Sequence, residues 1–449
     1  MRAHSRGVSL PPGPRGHFLI GSLPEFRRDL LAFFTACARD YGDVVPVRVA
    51  RRRLVVLSHP DLIEEALTAR ARHTTKTAIL RMLSPLLGDG LLLSESDLWL
   101  RQRRLLQPAF HRQRVSAYGE VMAGYAERAM ADWKDGETRD IHADMMTITQ
   151  AIVAKTLFDA DVSDDAYDVG HALHVLMEDF SRRRGRLFAL PAFIPTPARR
   201  RTRRAIERLD RIVYGIIASR RASGEDRGDL LSILLRAQDA DDGSRMTDRQ
   251  ARDEAMTLFL AGHETTAVAL SWTWHLLAQH PDVEARLAAE LESVLGGRLP
   301  TVADLPRLRY AEMVVTESMR LNPPVYVMTR RVAERCEVGG HWIEPETTLV
   351  MSQWVVQHDA RWFEEPEAFR PERWENDLAK RLPRYAYFPF GGGPRLCIGN
   401  TFAMMEATLL LATIAQRFRF TLAAGEAVTR MLSVTLRPAN GIRMVLSRR

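Results

Sequence analysis

Asp248 to His280 runs for 33 residues without a proline. Read as one helix, at ~1.5 Å per residue it spans roughly 50 Å. Its centre, Met256 to Trp274, is apolar nearly all round, the pattern of a helix surrounded by other elements rather than lying on a surface. A chain built around such a rod must pack further helices against most of its sides, so a mostly α fold is expected. Gly262, His263, Glu264, Thr265 and Thr266 interrupt the apolar surface. Polar side chains on a buried helix cost free energy unless they find partners. Gly and Thr side by side also invite local opening of the backbone ladder. A kink explains the cluster structurally; a reactive site explains it functionally.

A second stretch concentrates the chemistry. Phe388-Pro-Phe-Gly-Gly-Gly-Pro-Arg-Leu-Cys-Ile-Gly399 places Cys397 at the end of a glycine-rich loop, and Ile398 to Phe418 reads as a helix. A thiol at a helix N-terminus is favoured as the anion. Glycines 391 to 393 permit close backbone approach and positive φ. A thiolate held this way suits a soft metal such as haem iron. A buried structural cysteine after a turn is the plain alternative. Phe390, Gly393, Cys397 and Gly399 complete the spacing F-x-x-G-x-x-x-C-x-G, which resembles the haem-ligand loop of the cytochrome P-450 family.

Three further motifs follow the family in order. Trp99 and Arg103, at i and i+4, match its W-x-x-x-R pair, two hydrogen-bond donors that hold a haem propionate. Ala261-Gly-His-Glu-Thr-Thr266 matches its oxygen-activation motif. Glu317 and Arg320 form its E-x-x-R, with Arg373 from Phe369-Arg-Pro-Glu-Arg-Trp374 as third member of a buried clasp on the thiolate loop. Where many relatives carry an aromatic or His after R-L, this chain has Asn322, which leaves the motif intact. Arg331 resembles the family's arginine for a second propionate, with the neighbouring Arg330 competing for that role, and the resemblance makes Arg395 a further propionate candidate.

The resemblance covers nearly the whole chain. It implies a mostly α fold with a small β region, residues 1–449 forming one haem domain, with a flexible 1–14 segment carrying Leu10-Pro-Pro-Gly-Pro14. It implies haem b ligated by Cys397, whose electron density promotes O–O cleavage, and protons relayed by Glu264 and Thr265. Dioxygen would supply one oxygen atom to a mid-sized apolar molecule, a terpenoid, fatty acid or polyketide, by hydroxylation or epoxidation. Electrons would come from NAD(P)H through a ferredoxin reductase and a ferredoxin docked near Arg395. Leu258, Ala261, Val325, Val327 and Leu432 are the expected substrate contacts. A peroxygenase would usually lack the acid–alcohol pair, and a non-catalytic haem carrier or gas sensor would have no use for it.

Composition sets the outer limits. The 449 residues are 46% hydrophobic and 27% charged, ample for a large core. Cys37, Cys336 and Cys397 lie far apart, which points away from a disulfide framework or zinc site. No run reaches the roughly 18 apolar residues of a membrane span, and residues 1–10 lack an apolar leader. A cytoplasmic monomer is the expectation. The formal charge of +7 permits acidic partners. Arg182–Arg186 and Arg199–Arg204, around Leu187–Pro197, lack the aromatic interleaving of a nucleic-acid reader, so no nucleic-acid role is expected; by family position this segment is the mobile lid over the substrate channel.

The remaining chain reads locally. Val44–Val49 and Leu54–Ser58 form a hairpin, Pro60–Ala69 a short helix, and residues 74–95 an irregular loop that the family uses in the substrate roof. Arg221–Asp229 and Asp239–Arg245 read as polar loops. Met431–Leu436 and Ile442–Leu446 read as a closing hairpin through Pro438-Ala-Asn-Gly441.

Overall fold

The computed structural model describes residues 9–159, 196–239 and 243–449. Arg182–Arg186 and the proposed lid lie largely outside them. The chain separates into two compact units.

The first unit comprises the chain up to Arg81, Met319–Phe369 and Arg373–Cys397. Its centre is a five-stranded sheet in the spatial order Val44–Val49, Arg52–Leu57, Thr348–Met351, Met328–Val332, Thr74–Thr75. Only the pairing of Arg52–Leu57 with Thr348–Met351 is parallel. The expected first hairpin is present, closed at Ala50-Arg51, where Ala50 takes a φ of 51°. Side-chain alternation divides the sheet between two cores. Val55, Leu57, Leu349 and Met351 pack with Ile63, Cys336, Tyr385 and Phe388. Leu54, Val56 and Val350 pack with Phe33, Phe34 and Cys37 of the helix Leu30–Tyr41. The short hairpin Cys336–Val338/His341–Ile343 turns on Gly339 and Gly340, both at positive φ, the combination a two-residue hairpin loop demands.

The second unit comprises Met82–Ser318, Arg370–Glu372 and Ile398–Arg449. It is built on the expected long helix, Asp248–Gln279, opened by a capping box between Thr247 and Gln250. Ile141–Phe158 packs along it, and a Cβ on Gly262 would already press on Val153 at 3.0 Å. Asn400–Ala415 packs against Gly119–Met130 and contacts the long helix. The helix after Cys397 is thus shorter than Ile398–Phe418, because Phe418 begins a strand. The helix Pro197–Ser223 also runs into the segment read as a loop from Arg221, stopping only where Gly224 takes a left-handed conformation.

The C-terminal hairpin requires a larger correction. Arg430–Leu432 pairs with Leu436–Pro438 around a turn at 433–435, while Arg443–Arg448 pairs with Phe418–Leu422 and Thr138–Asp140. The turn falls inside the apolar run that looked like one strand, so the last strand finds distant partners. Among the described residues no helix is long and apolar enough to cross a membrane.

Candidate active site

In the first unit the cysteine loop is held by backbone contacts that require its glycines. Gly391 and Gly393 sit at positive φ. A Cβ on Gly393 would fall 2.1 Å from the Leu67 carbonyl oxygen, and one on Gly392 would strike the Tyr385 ring at 2.2 Å. The Gly393 amide donates to the Tyr385 hydroxyl at 2.9 Å, and the Cys397 amide donates to the Phe390 carbonyl at 3.0 Å, closing the loop. Cys397 is exposed, whereas Cys37 and Cys336 are buried. Burial, helped by the Asp40 charge, pushes the Cys37 thiol up to about 12, and burial also raises that of Cys336. Neither competes as a thiolate near neutral pH. Phe390 and Arg395 are half-buried on the same loop.

Arg320 is fully buried and fans onto the carbonyls of Gln357, Pro366 and Ala368 at 2.8, 2.7 and 3.1 Å. Arg373 reaches the Ala368 carbonyl at 3.3 Å and those of Glu364 and Glu365. Both guanidiniums therefore gather the segment 357–368. Glu317, in the second unit, is fully buried and accepts the Arg370 amide at 3.1 Å.

Strand parity separates two neighbouring arginines. In Met328–Val332 the side chain of Arg330 is buried, while Arg331 is half-exposed and pairs with Glu346 at 2.6 Å and with the Thr75 hydroxyl. Val325 and Val327 are half-buried, Val327 against the Phe33–Val56 core.

In the second unit, Leu258, Gly262 and Thr265 are only partly covered and Ala261 is exposed, although the flanking residues of the long helix are buried. The spacing i, i+3, i+4, i+7 makes them one stripe. Thr265 Oγ1 donates to the Ala261 carbonyl one turn back at 2.7 Å. Glu264 points elsewhere. Its Oε1 accepts from Thr435 Oγ1 at 2.6 Å and from Arg437 at 3.1 Å, in a pair that is almost fully buried. His263 is buried with Nδ1 against the Phe259 carbonyl, and burial holds it neutral.

The segment after Arg81 is knitted to the start of the same helix. Asp253 accepts the Asp89 amide and Glu254 the Leu91 amide, each at 3.0 Å. A Cβ on Gly90 would meet Thr257 Oγ1 at 2.2 Å. Trp99 and Arg103 share the helix Ser96–Leu106, both half-buried, and Trp99 packs in a cluster with Leu105, Leu258 and Ile398. Arg101 and Arg104, on the same helix, pair with Asp239. Leu432 is half-buried in the hairpin that also supplies Thr435 and Arg437. Gly399 has an ordinary φ of −94°, and a Cβ there would meet only Phe110 at 3.7 Å, so the protein's own packing does not demand glycine.

Thr435, Arg437 and Glu406 were not read from sequence. The first two sit 171 and 173 residues from Glu264, and nothing local marks them. Glu406 lies fully buried on Asn400–Ala415, with neither carboxyl oxygen hydrogen-bonded among the described residues. Burial raises its pKa from 4.5 to about 8. The nearby Thr266 hydroxyl opposes that rise, although its well-aligned hydrogen bond goes to the Gly262 carbonyl at 3.3 Å. The folded protein therefore holds this proton more tightly than the unfolded chain between pH 4.5 and 8, and stability falls as pH rises through that window. Glu406→Gln is expected to stabilise by less than about 1 kcal/mol at pH 5 and by about 4 kcal/mol at pH 8. Thermal unfolding at the two pH values checks it; a gap that does not widen with pH shows that Glu406 is already ionised.

These features agree with comparisons to known proteins. The cytochrome P450 family model matches residues 11–444. Cyclooctatin synthase of Streptomyces melanosporofaciens is 40% identical over 86% of this chain and 84% of its own. Cyclooctat-9-en-7-ol 5-monooxygenase of the same organism is 38% identical over the same shares. Pentalenene oxygenase of Streptomyces avermitilis is 33% identical over 90% and 89%. The crystal structure of the cytochrome P450DA heme domain superposes with a TM-score of 0.90 at 26% identity, covering 98% of each chain. The chain belongs to the cytochrome P450 family. It is a haem-dependent monooxygenase, an oxidoreductase, with the mostly α fold and small β region that the sequence led us to expect.

Proposed function

We propose that this enzyme oxygenates a cyclic terpenoid, with Cys397 as the iron ligand and Thr265 as the group that positions a proton donor. The observation that carries the reading is the apolar stripe Leu258, Ala261, Gly262 ending at the Thr265 hydroxyl. The relatives named for cyclooctatin, cyclooctat-9-en-7-ol and pentalenene support the substrate class. Each unit taken by itself fits haem b: the first presents an exposed thiol on a glycine-bound loop, and the second a partly covered helix stripe of small and apolar side chains. When bound, haem supplies dioxygen activation and insertion of one oxygen atom into a C–H or C=C bond.

In this reading the chain acts as one haem domain in a cytoplasmic monomer. Trp99, Arg103 and Arg395 hold propionates, and Arg330 is preferred to Arg331, which is engaged with Glu346. Phe390 and Gly399 line the thiolate side, and Glu317, Arg320 and Arg373 brace the loop. Leu258, Ala261, Val325, Val327 and Leu432 contact substrate. NAD(P)H electrons arrive through a ferredoxin reductase and a ferredoxin.

Thr265 donates its hydroxyl hydrogen bond to the Ala261 carbonyl, so its oxygen lone pairs stay available to accept from a water. Glu264 must release Thr435 and Arg437 before it can exchange protons with that water. Thr265→Val keeps shape and removes the acceptor. Haem and substrate binding should persist, while product per NADPH falls at least about tenfold and peroxide is released. Unchanged coupling would remove Thr265 from the mechanism. A series of cyclic sesquiterpenes and diterpenes, titrated for a haem spectral shift, tests the substrate class; binding only fatty acids would overturn it.

A further inference from the structure

Three consecutive large apolar side chains stand outside the protein. Phe18 is 77% exposed, Leu19 65% and Ile20 37%. A frayed tail would explain them trivially, but this segment is tied at nearly every backbone group. His17 and Gly21 exchange amide–carbonyl bonds at 2.9 and 2.7 Å, forming a tight turn with Phe18, Leu19 and Ile20 at its apex. The Arg48 guanidinium donates to the carbonyls of His17, Phe18 and Leu19 at 2.8, 2.7 and 3.1 Å. The Ile20 carbonyl accepts the Ala50 amide at 2.8 Å. Gly21, at φ +60°, approaches so closely that a Cβ would lie 2.0 Å from the Arg48 carbonyl oxygen. The turn is thus a rigid projection from the edge of the five-stranded sheet, and its apolar side chains are held out in water.

Its surroundings are basic. Arg15, Arg27, Arg28, Arg48 and Arg51 are all exposed and lie near the turn in sequence or on the hairpin bonded to it. Glu25 is the only acid in residues 9–28, and residues 44–53 contain none. An apolar apex with a cationic collar is the arrangement that an anionic bilayer accepts, with rings and aliphatics below the headgroups and guanidiniums at the phosphates. A protein partner fits less well, because three side chains on a convex tip bury far less than the ~1,200 Å² of a stable protein interface.

We propose that the Phe18–Ile20 turn is an interfacial foot that seats the enzyme on an anionic lipid surface without spanning it. The test uses the full-length haem-loaded protein and sedimentation with two vesicle types, phosphatidylcholine alone and phosphatidylcholine mixed with phosphatidylglycerol. Wild type is expected to co-sediment with the mixed vesicles and to be released by salt, since screening weakens the collar. Phe18→Ser/Leu19→Ser should lower the partition coefficient at least about tenfold while leaving the carbon monoxide spectrum unchanged. Arg51→Ser/Arg27→Ser should weaken binding to mixed vesicles only. Equal partitioning of wild type and the Phe18→Ser/Leu19→Ser variant, or no binding by wild type, overturns the proposal. So does a wild-type dimer that the same double substitution converts to monomer without any vesicle binding, which would make the foot a self-association contact.

Discussion

Replacing Cys397 by serine is expected to abolish the red-shifted band that a thiolate-ligated ferrous haem gives with carbon monoxide, and to reduce monooxygenase turnover to background. A hydroxyl is a far weaker donor to iron than a thiolate. The protein contains no substitute. Cys37 and Cys336 are buried in the two cores of the sheet, and burial keeps both protonated. Cys37→Ser and Cys336→Ser should therefore leave the band in place and cost only packing stability. The loop around position 397 should survive the serine substitution, because backbone bonds at Gly393, Tyr385 and Phe390 close it. A thiolate band that persists in Cys397→Ser would reassign the ligand.

Arg320→Lys should be nearly as damaging, although it keeps the charge. The guanidinium serves three carbonyls, those of residues 357, 366 and 368, and stands over the Phe363 ring. The Gln357 amide returns bonds to the carbonyls of Met319 and Arg320, so the two side chains brace each other's backbones. A single ammonium cannot match that fork. Lysine would strand buried carbonyls and hold a charge without full solvation, a loss of about 3–5 kcal/mol. Most of the protein should then be recovered without haem, read as the ratio of haem to protein absorbance. Full haem loading with an unchanged melting temperature would show that the arrangement is dispensable.

What could be read in advance and what could not follows from the range of each interaction. The long helix and the cysteine loop declare themselves over short windows, by periodicity and by glycines at positions where no Cβ fits. The direction of Glu264 depends on a hairpin folded back from more than 170 residues downstream, and that hairpin was itself misregistered because a turn hides inside Met431–Leu436. Arg330 and Arg331 are equivalent in sequence until pairing with Thr348–Met351 fixes which faces inward. Glu406 looks like an ordinary helix residue, and only packing on all sides reveals a buried carboxyl with neither oxygen hydrogen-bonded in good geometry among the described residues.

Along the long helix, Thr265, Thr266, Ser271 and Thr273 each return a hydrogen bond to the carbonyl one turn earlier. The helix thus satisfies these hydroxyl donors from within itself. Exchanging Leu258 or Ala261 for another apolar residue breaks none of those bonds, so natural drift or laboratory evolution can reshape the stripe while the scaffold stays intact. In the proposed reading, the residues that would meet substrate are thus separate from the bonds that hold the helix, so one can be altered without the other.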